Sequence, residues 1–440
     1  MRHTFRIVTT FVALLLSPAI VAADVPDEAS RVQSEIDQLR SEIEAYRGQR
    51  EHTWERRARS SQLRALVQDV IADASGRSSL QSSGIDSGWK DGDFTLASPS
   101  GDFTMDFYLQ MQIDWIFNDS KGQENQWGFE TRRLRLGFSG HIIDPAFTYN
   151  VRMSIGNNGL FDLYFGYMQY AFSEELSLSV GKVGGYFSRE EILSSNDELG
   201  ADYSFVVGQF DPGNPIGVQV EYQGDQLRLV GTVSDGWNQD IATIAGNQRM
   251  GLTARAEWKL LGEWGLFDTF TSFPGTEQGL MLGAAFQFDF GSAEPPASTR
   301  VDGTAYRLTG DVSYTASGFN AFSAIYWSYQ SQEPTFTESA QHLGVVVQAG
   351  WFVCPTVQVY GRYNWGTRSD QAGRSFDDIS IAMAGASWFP FEDTTIKLTL
   401  EGGFSFNSIG GWNIESVGWR NDVAGEDHQF IIRSQLQLQY

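Results

Sequence analysis

Strict alternation of apolar and polar side chains is the feature that most limits how this chain can fold. Between residues 103 and 117 a large apolar residue occupies every odd position, from Phe103 to Phe117. The even positions are mostly polar, from Thr104 to Asp114. A helix would scatter the apolar residues around its circumference, whereas an extended strand places them on one face. At 15 residues this strand is longer than most strands in soluble proteins.

The same alternation recurs along the rest of the chain, and counting such runs from residue 103 gives about sixteen. The connections between them alternate in length. Short turns are expected at 143–146, 173–175, 223–226, 353–355 and 390–394. Long polar loops are expected at 118–130, 184–215, 235–248, 290–304, 330–341, 366–377 and 407–427. This predicts an all-β fold, a 16-stranded antiparallel transmembrane β-barrel over residues 103–440, with short periplasmic turns and long outer loops. The connection 260–278 is longer than that rule predicts.

Tryptophans and the last strand indicate which face meets lipid. Trp115, Trp258, Trp351 and Trp365 fall near the ends of predicted strands in the apolar register, as in the aromatic girdles of membrane barrels. The run from Phe430 to Tyr440 alternates and ends on an aromatic residue, which resembles the insertion signal of outer-membrane proteins. A soluble sandwich would instead gather its large aromatic residues centrally.

The first 23 residues have the layout of a secretory signal peptide. Arg2 and Arg6 precede an apolar run from Ile7 to Leu16, and small residues lead up to Ala23. The alternative, a membrane-anchoring helix, is disfavoured because this run is too short to span a bilayer. We therefore expect export, with the mature protein in the outer membrane.

Residues 24–75 are predicted to form a helical arm in the periplasm. Val32, Ile36, Leu39 and Ile43 recur at steps of four and three, which is a heptad seam. The seam is compatible with three strands but does not decide their number, and a single amphipathic helix is the alternative interpretation. A second apolar face follows over 61–75, and residues 76–102 are expected to be a linker with a short strand.

Composition excludes several classes of function. The net charge is −23, and an acidic chain is a poor nucleic-acid binder because phosphates repel it. The single cysteine excludes an intramolecular disulfide and a cysteine-rich metal site. Four histidines remain after the signal, too scattered for a catalytic or metal-binding constellation. We expect no enzyme, no cofactor and no metal.

Several short blocks resemble the phosphate-selective porin O and P family. They are residues 131–140 (TRRLRLGFSG), 162–170 around Asp162, Tyr164 and Tyr170, and 180–194 through Ser188-Arg189-Glu190-Glu191. The arm around Leu63 to Val70 looks like a variant of that family with an N-terminal coiled coil. The resemblance implies sixteen strands, three barrels per assembly, and a third long outer loop, here 184–215, that folds into the pore.

The predicted inward register supplies charged residues of both signs. Selectivity in a channel comes from the charges and donors that line its narrowest part. The pore-lining candidates are Arg133, Arg135, Arg152, Arg228, Arg255, Arg307, Arg362, Lys397, Arg433, Asp106, Asp114 and Glu257. They either set the selectivity of a mixed lumen or mainly pair across neighbouring strands and keep the lumen hydrated.

The predicted constriction loop does not look like an anion trap. Its only basic residue is Arg189, and its acidic candidates include Glu190, Glu191, Asp197 and Glu198. We therefore predict a general or weakly selective porin for small hydrophilic solutes or ions, leaning toward cations if toward either charge. A phosphate- or anion-selective channel is one alternative. A structural anchor, in which the arm contacts the cell wall, is the other. The expected partners are the lipid bilayer and two further copies of the chain.

Overall fold

The structure, a computed structural model, describes most of the chain beyond the predicted arm. The residues described are 85–90, 93–155, 161–236, 250–293, 301–331, 339–368, 378–409, 412, 418–423 and 425–440. The predicted signal peptide 1–23, the arm 24–75 and the first part of the linker lie outside the described residues. Within the described part, no helix is long and apolar enough to cross a membrane.

The described residues form eighteen strands and three short helical segments. The strands are β1 Asp86–Lys90, β2 Asp93–Ala97, β3 Thr104–Ser120, β4 Gln126–Ile142, β5 Asp144–Ile155, β6 Phe161–Ala171, β7 Leu176–Lys182, β8 Ile216–Gln223, β9 Leu227–Ser234, β10 Met250–Leu261, β11 Gly279–Ala293, β12 Val301–Ala316, β13 Phe319–Gln330, β14 Ala340–Cys354, β15 Val357–Arg368, β16 Ile379–Trp388, β17 Ile396–Ser405 and β18 Gln429–Gln439. The helical segments are α1 Arg189–Ile192, α2 Val207–Phe210 and the 3₁₀ turn Trp264–Phe267.

Strands β3 to β18 form a closed antiparallel barrel. Each pairs with the next along the chain, and β18 closes the sheet by pairing with β3, where Gln435 lies opposite Asp114. The sixteen-stranded antiparallel barrel predicted from the sequence is thereby confirmed. Because the sheet is closed, strands β3 to β18 leave no long unpaired edge that lipid would meet.

The strands expose their apolar face and bury their polar face. In β10 the outward Trp258 is 52% exposed, whereas the adjacent inward Glu257 is 1% exposed. The register brings inward residues together on neighbouring strands, as where Glu257 lies opposite Arg228. This distribution of apolar and polar side chains is the reverse of that in a soluble protein, and it matches a barrel surrounded by hydrocarbon.

The connections differ between the two ends of the barrel. At the short-turn end the strands are joined by 143, 172–175, 224–226, 317–318, 355–356 and 389–395, with 262–278 as the one long connection there. At the long-loop end the connections are 121–125, 156–160, 183–215, 235–249, 294–300, 331–339, 369–378 and 406–428.

Several connections differ from the sequence expectation. The predicted loop 118–130 is only 121–125, because β3 and β4 both continue to pair up to Asn118 opposite Gln126. The predicted turn 143–146 is a single residue, since β5 begins at Asp144. The connection 156–160, between β5 and β6, was not among the loops predicted from the sequence.

Strands β1 and β2 form a hairpin beside the seam where the barrel closes. Strand β18 pairs with β3 as far as Gln439 opposite Gln110, and β2 pairs with the remaining end of β3, with Thr95 opposite Asp106. The Trp89 ring of β1 lies edge-on to the Tyr440 ring at 5.2 Å. The predicted linker with one short strand therefore contains two strands, because β18 leaves the first residues of β3 unpaired.

Candidate functional site

The connection between β7 and β8, residues 183–215, folds into the interior of the barrel. We call it the inner loop. Its side chains Phe187, Leu199 and Phe210 are at most 1% exposed. They belong to one buried cluster with inward residues of β13 to β16 such as Tyr326 and Ile381. The inner loop therefore packs against one side of the barrel as a hydrophobic core does.

Asp202 of the inner loop is the centre of its strongest polar contact with the wall. Its carboxylate pairs with Arg133 Nη2 at 2.7 Å and with Arg132 Nε at 2.9 Å. Its backbone carbonyl accepts a hydrogen bond from Arg362 Nη1 at 2.6 Å. Burial opposes ionisation, but the charges of Arg132 and Arg133 hold the pKa of Asp202 well below its usual range. The inner loop is thus tied to β4 by a charged carboxylate and to β15 by a backbone carbonyl.

The tip of the inner loop, residues 195–198, reaches the wall near the short-turn end. Lys397 Nζ donates to the backbone carbonyls of Asn196 at 3.3 Å and Glu198 at 2.8 Å. Two strands away, on β3, Gln110 Nε2 donates to Ser195 Oγ at 2.6 Å. The inner loop therefore extends from the long-loop end of the barrel to the wall near the short-turn end.

The short helix α1 is ordered by hydrogen bonds within the inner loop. Ser188 Oγ caps α1 by accepting from the Glu191 backbone N–H at 3.2 Å. Glu190 accepts from the Ser204 backbone N–H at 2.8 Å and from Ser204 Oγ at 2.7 Å. Glu190 is therefore used to join the two halves of the inner loop.

The long connection 262–278 enters the barrel from the short-turn end. Phe267 and Phe270 are at most 4% exposed, and the Phe270 ring lies 4.7 Å from that of Phe322 on the inner wall. The Phe270 backbone N–H donates to the Asp197 carbonyl at 2.8 Å. We call this segment the exit segment. The sequence did not explain its length, whereas in the structure this length allows the segment to contact the inner loop.

Inward charged residues form ion pairs within strands, between neighbouring strands and with the inner loop. Arg255 pairs with Asp311 and with Glu257, both at 2.9 Å. Arg307 pairs with Asp289 at 2.9 Å. Further pairs join Arg228 and Arg189 to Glu257, Arg362 to Glu198, and Arg433 to Glu401. Buried charges are stable in such pairs because each compensates the desolvation of its partner.

Arg135 and Arg152 differ from this arrangement because they stack on aromatic rings. The Arg135 guanidinium lies 3.7 Å from the ring centre of Tyr164, and that of Arg152 lies 3.7 Å from Tyr108. Arg152 also faces Phe165 at 5.6 Å. Neither arginine has an ion pair with a carboxylate among the described residues. Each guanidinium is thus held against an aromatic ring instead of a counter-charge.

Inward side chains remain partly exposed mainly on β5, β6, β8 and β9, the side of the barrel with few inner-loop contacts. They are Thr148, Asn150, Arg152, Tyr167, Gln169, Glu221 and Arg228. We call this part the open wall. Its residues are polar or charged and of both signs, so the remaining space in the barrel is suited to water and hydrophilic solutes.

The model of the phosphate-selective porin O and P family matches residues 105–400, which is more than half of the chain. The chain belongs to this family. Family and fold together indicate an outer-membrane channel, and proteins of this family and fold are channels. No curated protein matches the sequence of this porin.

Solved porins share the fold of this porin at low sequence identity. OmpT of Vibrio cholerae, folded in vitro and in a trimer form, is 14% identical with a TM-score of 0.52, over 76% of this chain and 99% of that chain. An anion-selective porin from Comamonas acidovorans is 11% identical with a TM-score of 0.53, over 77% and 100% of the two chains. OmpF of Salmonella typhi, in complex with daunomycin, is 14% identical with a TM-score of 0.50, over 80% and 100%.

The structure places every pore-lining candidate in the inward register of this porin. Only Asp106, Arg152 and Arg228 are partly exposed. The other candidates are less than 10% exposed, held in ion pairs or beneath the inner loop. Of the constriction-loop candidates, Arg189, Glu190 and Glu198 are at most 2% exposed, whereas Glu191 and Asp197 are partly exposed. That these residues line the passage stays a prediction.

Sequence reasoning missed the aromatic residues of the interior and the exit segment. Tyr108 falls in the polar register and was available as a signal. Tyr164 gave no such signal, because it is the extra residue of a β-bulge in β6. Arg152 of β5 lies opposite Phe165 and Met153 lies opposite Leu163, so Tyr164 has no opposite residue. The exit segment carried one signal, its excess length.

Proposed function

We propose that this porin lets small hydrophilic solutes and ions diffuse passively across the outer membrane with little charge selectivity. The observation that carries the proposal is the mixed charge of the open wall. Arg152 and Arg228 lie on the same side of the barrel as Glu221, and all three are partly exposed inward residues. A lumen lined by both signs attracts and repels each ion to similar degrees.

The proposed passage runs between the open wall and the exposed face of the inner loop. The opposite side of the barrel is occupied by the apolar cluster around Phe210 and Tyr326, which leaves no polar surface for a hydrated solute. Glu191 is a partly exposed residue of the inner loop, and on this proposal it borders the passage.

Planar-bilayer recordings of the purified porin test this function. Under a salt gradient we expect stable conductance steps and a reversal potential close to zero. A reversal potential near the ideal value for anions would contradict weak selectivity, and the absence of any conductance would contradict a channel.

An anion-preferring channel is the second candidate, and Arg135 and Arg152 favour it. These guanidinium groups have no carboxylate partner among the described residues, and Arg152 is partly exposed. The description of the family and the anion selectivity of the porin from Comamonas acidovorans agree with it. Arg152→Gln and Glu221→Gln form a matched pair of charge removals. If anion preference resides at Arg152, only Arg152→Gln moves the reversal potential strongly toward cations.

We propose that three copies of the porin assemble as a homotrimer, since OmpT of Vibrio cholerae, which shares the fold, is described in a trimer form. Gel filtration with light scattering in detergent measures the mass of the protein part directly. A monomer at all concentrations would contradict the trimer.

We propose that residues 24–75 extend into the periplasm and that they contact the cell wall or trimerise. The hairpin β1–β2, from which this segment continues toward the N-terminus, lies at the short-turn end. Deletion of residues 24–75 separates the roles. An anchor loses envelope attachment while the conductance stays unchanged, whereas a trimerisation arm changes the mass measured in detergent.

A further inference from the structure

A cavity of about 380 Å³ lies at the long-loop end of the barrel, apart from the open wall. It is bounded by Ile116 and Asn118 of β3, by Gly128 and Glu130 of β4, and by residues 418–420 of the last connection. Its volume falls in the range of cavities that hold small organic molecules. In the proposed orientation of the barrel, this is the side from which an external solute enters.

Two buried polar groups of this entrance cavity lack a hydrogen-bond partner among the described residues. Asn118 is 2% exposed, and its Nδ2 donates to the Gly418 carbonyl at 2.8 Å, but its Oδ1 accepts no hydrogen bond. Trp419 is 5% exposed, and its indole N–H donates none. Unsatisfied buried groups cost free energy, so an acceptor and a donor at one cavity indicate a bound molecule that supplies both partners.

The charges at the cavity favour a neutral occupant over a small anion. Glu130 contributes a carboxylate. The Arg420 guanidinium is already used, because Nη1 donates to the Glu124 carbonyl at 2.8 Å and Nη2 donates to Gln123 Oε1 at 2.5 Å. A hydroxyl group both donates and accepts, and it meets the requirements of Asn118 Oδ1, Glu130 and the Trp419 N–H together.

We propose that the entrance cavity is a weak binding site for a neutral polyhydroxylated solute such as a hexose. The solute is held at the outer mouth by hydroxyl contacts with Asn118, Glu130 and Trp419 before it moves into the passage. The inference rests on the proposed channel function for its role in transport, but binding itself is measurable without conduction.

Gly128 provides the decisive variant. A Cβ atom added there meets nothing within 4 Å, and Gly128 bounds the cavity, so Gly128→Leu fills the space without displacing the barrel. Gly231 is the matched control, because a Cβ atom added there also meets nothing within 4 Å but the position faces lipid. Glu130→Gln keeps the shape of the cavity and removes the charged acceptor.

Isothermal titration of the detergent-solubilised full-length porin with glucose tests the proposal. We expect saturable binding that Gly128→Leu weakens by about tenfold or more, that Glu130→Gln weakens by less, and that Gly231→Leu leaves unchanged. Absence of saturable binding, or equal binding by Gly128→Leu, would overturn the inference even in a porin that conducts ions. Glucose binding by a protein that forms no conductance steps would support the site and contradict the proposed channel.

Discussion

Arg133 illustrates what an inward charge does in this barrel. Its position was predictable from the alternation, and its partner was not, because Asp202 lies far along the chain in the inner loop. Once buried, Arg133 and Asp202 depend on each other, since either charge alone would remain desolvated without compensation. Most inward charges therefore fix the interior in place, and only the partly exposed ones remain available to a permeant.

We predict that Asp202→Asn destabilises the porin strongly. The substitution leaves Arg133 buried without its counter-charge, which costs about 3 kcal/mol or more of unfolding free energy. Denaturant unfolding in detergent, followed by tryptophan fluorescence, measures this change. Asp225→Asn in the exposed turn 224–226 is the control and is expected to unfold like the parent. Equal stability of the two variants would show that the ion pair does not hold the inner loop.

The carboxyl group of Glu191 gives the passage a pH dependence. Burial and the neighbouring charge of Asp211 raise its pKa to about 8, although Arg133 and Arg135 oppose the shift. Glu191 is therefore mostly neutral below that pH and becomes negatively charged above it. We expect the reversal potential to move toward cation preference by several millivolts as the pH rises from about 6.5 to about 9.5.

Glu191→Gln is the control for this titration. It keeps the size and hydrogen bonding of the side chain but cannot ionise. The pH-dependent change should shrink in this variant, while the selectivity near neutral pH stays close to that of the parent. An undiminished change in Glu191→Gln would assign the titration to another group.

At the scale of single elements, the inner loop fits because the wall behind it carries glycine. A Cβ atom added at Gly344 would lie 2.6 Å from the Phe210 ring, and one added at Gly350 would lie 2.7 Å from Leu199 Cδ1. Such distances are too short for a side chain, so these glycines make room for the apolar side of the loop. The alternation of the sequence marks both as inward positions, but only the structure explains why they are small.

We predict that Gly344→Val displaces the inner loop and enlarges the passage. The valine side chain collides with Phe210, and the loop has to move away from β14. Single-channel conductance should increase, or the open state should become noisier. Gly361→Val on the lipid-facing side of β15 is the matched control, since the nearest atom to its Cβ would be 3.9 Å away. Identical recordings for both variants would contradict a loop that limits conductance.

At the element scale, the packing of the exit segment inside the barrel could not be predicted from sequence periodicity. Phe267 and Phe270 follow no strand or helix period, because each contacts a different neighbour inside the barrel rather than a common face. A connection of unusual length at the short-turn end was the only sign. Its contact with the tip of the inner loop depends on two segments far apart in sequence, which local patterns do not encode.

At the scale of the whole molecule, the number of strands and their order could be predicted. Sixteen alternating runs, joined by connections of alternating length, specify a closed barrel because each strand must pair on both sides in lipid. The Trp258 and Trp351 side chains, predicted at the lipid interface, are 52% and 65% exposed near the short-turn end. The predicted strand bounds were less accurate at Asn118 and at Asp144, where pairing continues through polar residues.

The orientation of the whole barrel can be tested with its only cysteine. Cys354 is exposed at the short-turn end, which we propose faces the periplasm. A membrane-impermeant maleimide should therefore leave it unlabelled on intact cells and label it after the outer membrane is permeabilised.

The matched control for orientation carries its cysteine at the other end. Lys121→Cys in a Cys354→Ser background places an exposed thiol in the connection 121–125. This variant should react on intact cells. The opposite pattern of labelling would invert the proposed topology.

The inner loop makes the two halves of the barrel chemically unlike. Strands β13 to β16 have apolar side chains against lipid on one face, and on the other face inward residues such as Tyr326 and Ile381 belong to the buried cluster with Phe187 and Phe210. These strands resemble the central strands of a globular enzyme more than the rest of the wall. A saturation-mutagenesis library selected for folding should therefore tolerate few substitutions in the buried cluster inside β13 to β16, and more at the partly exposed inward positions of the open wall.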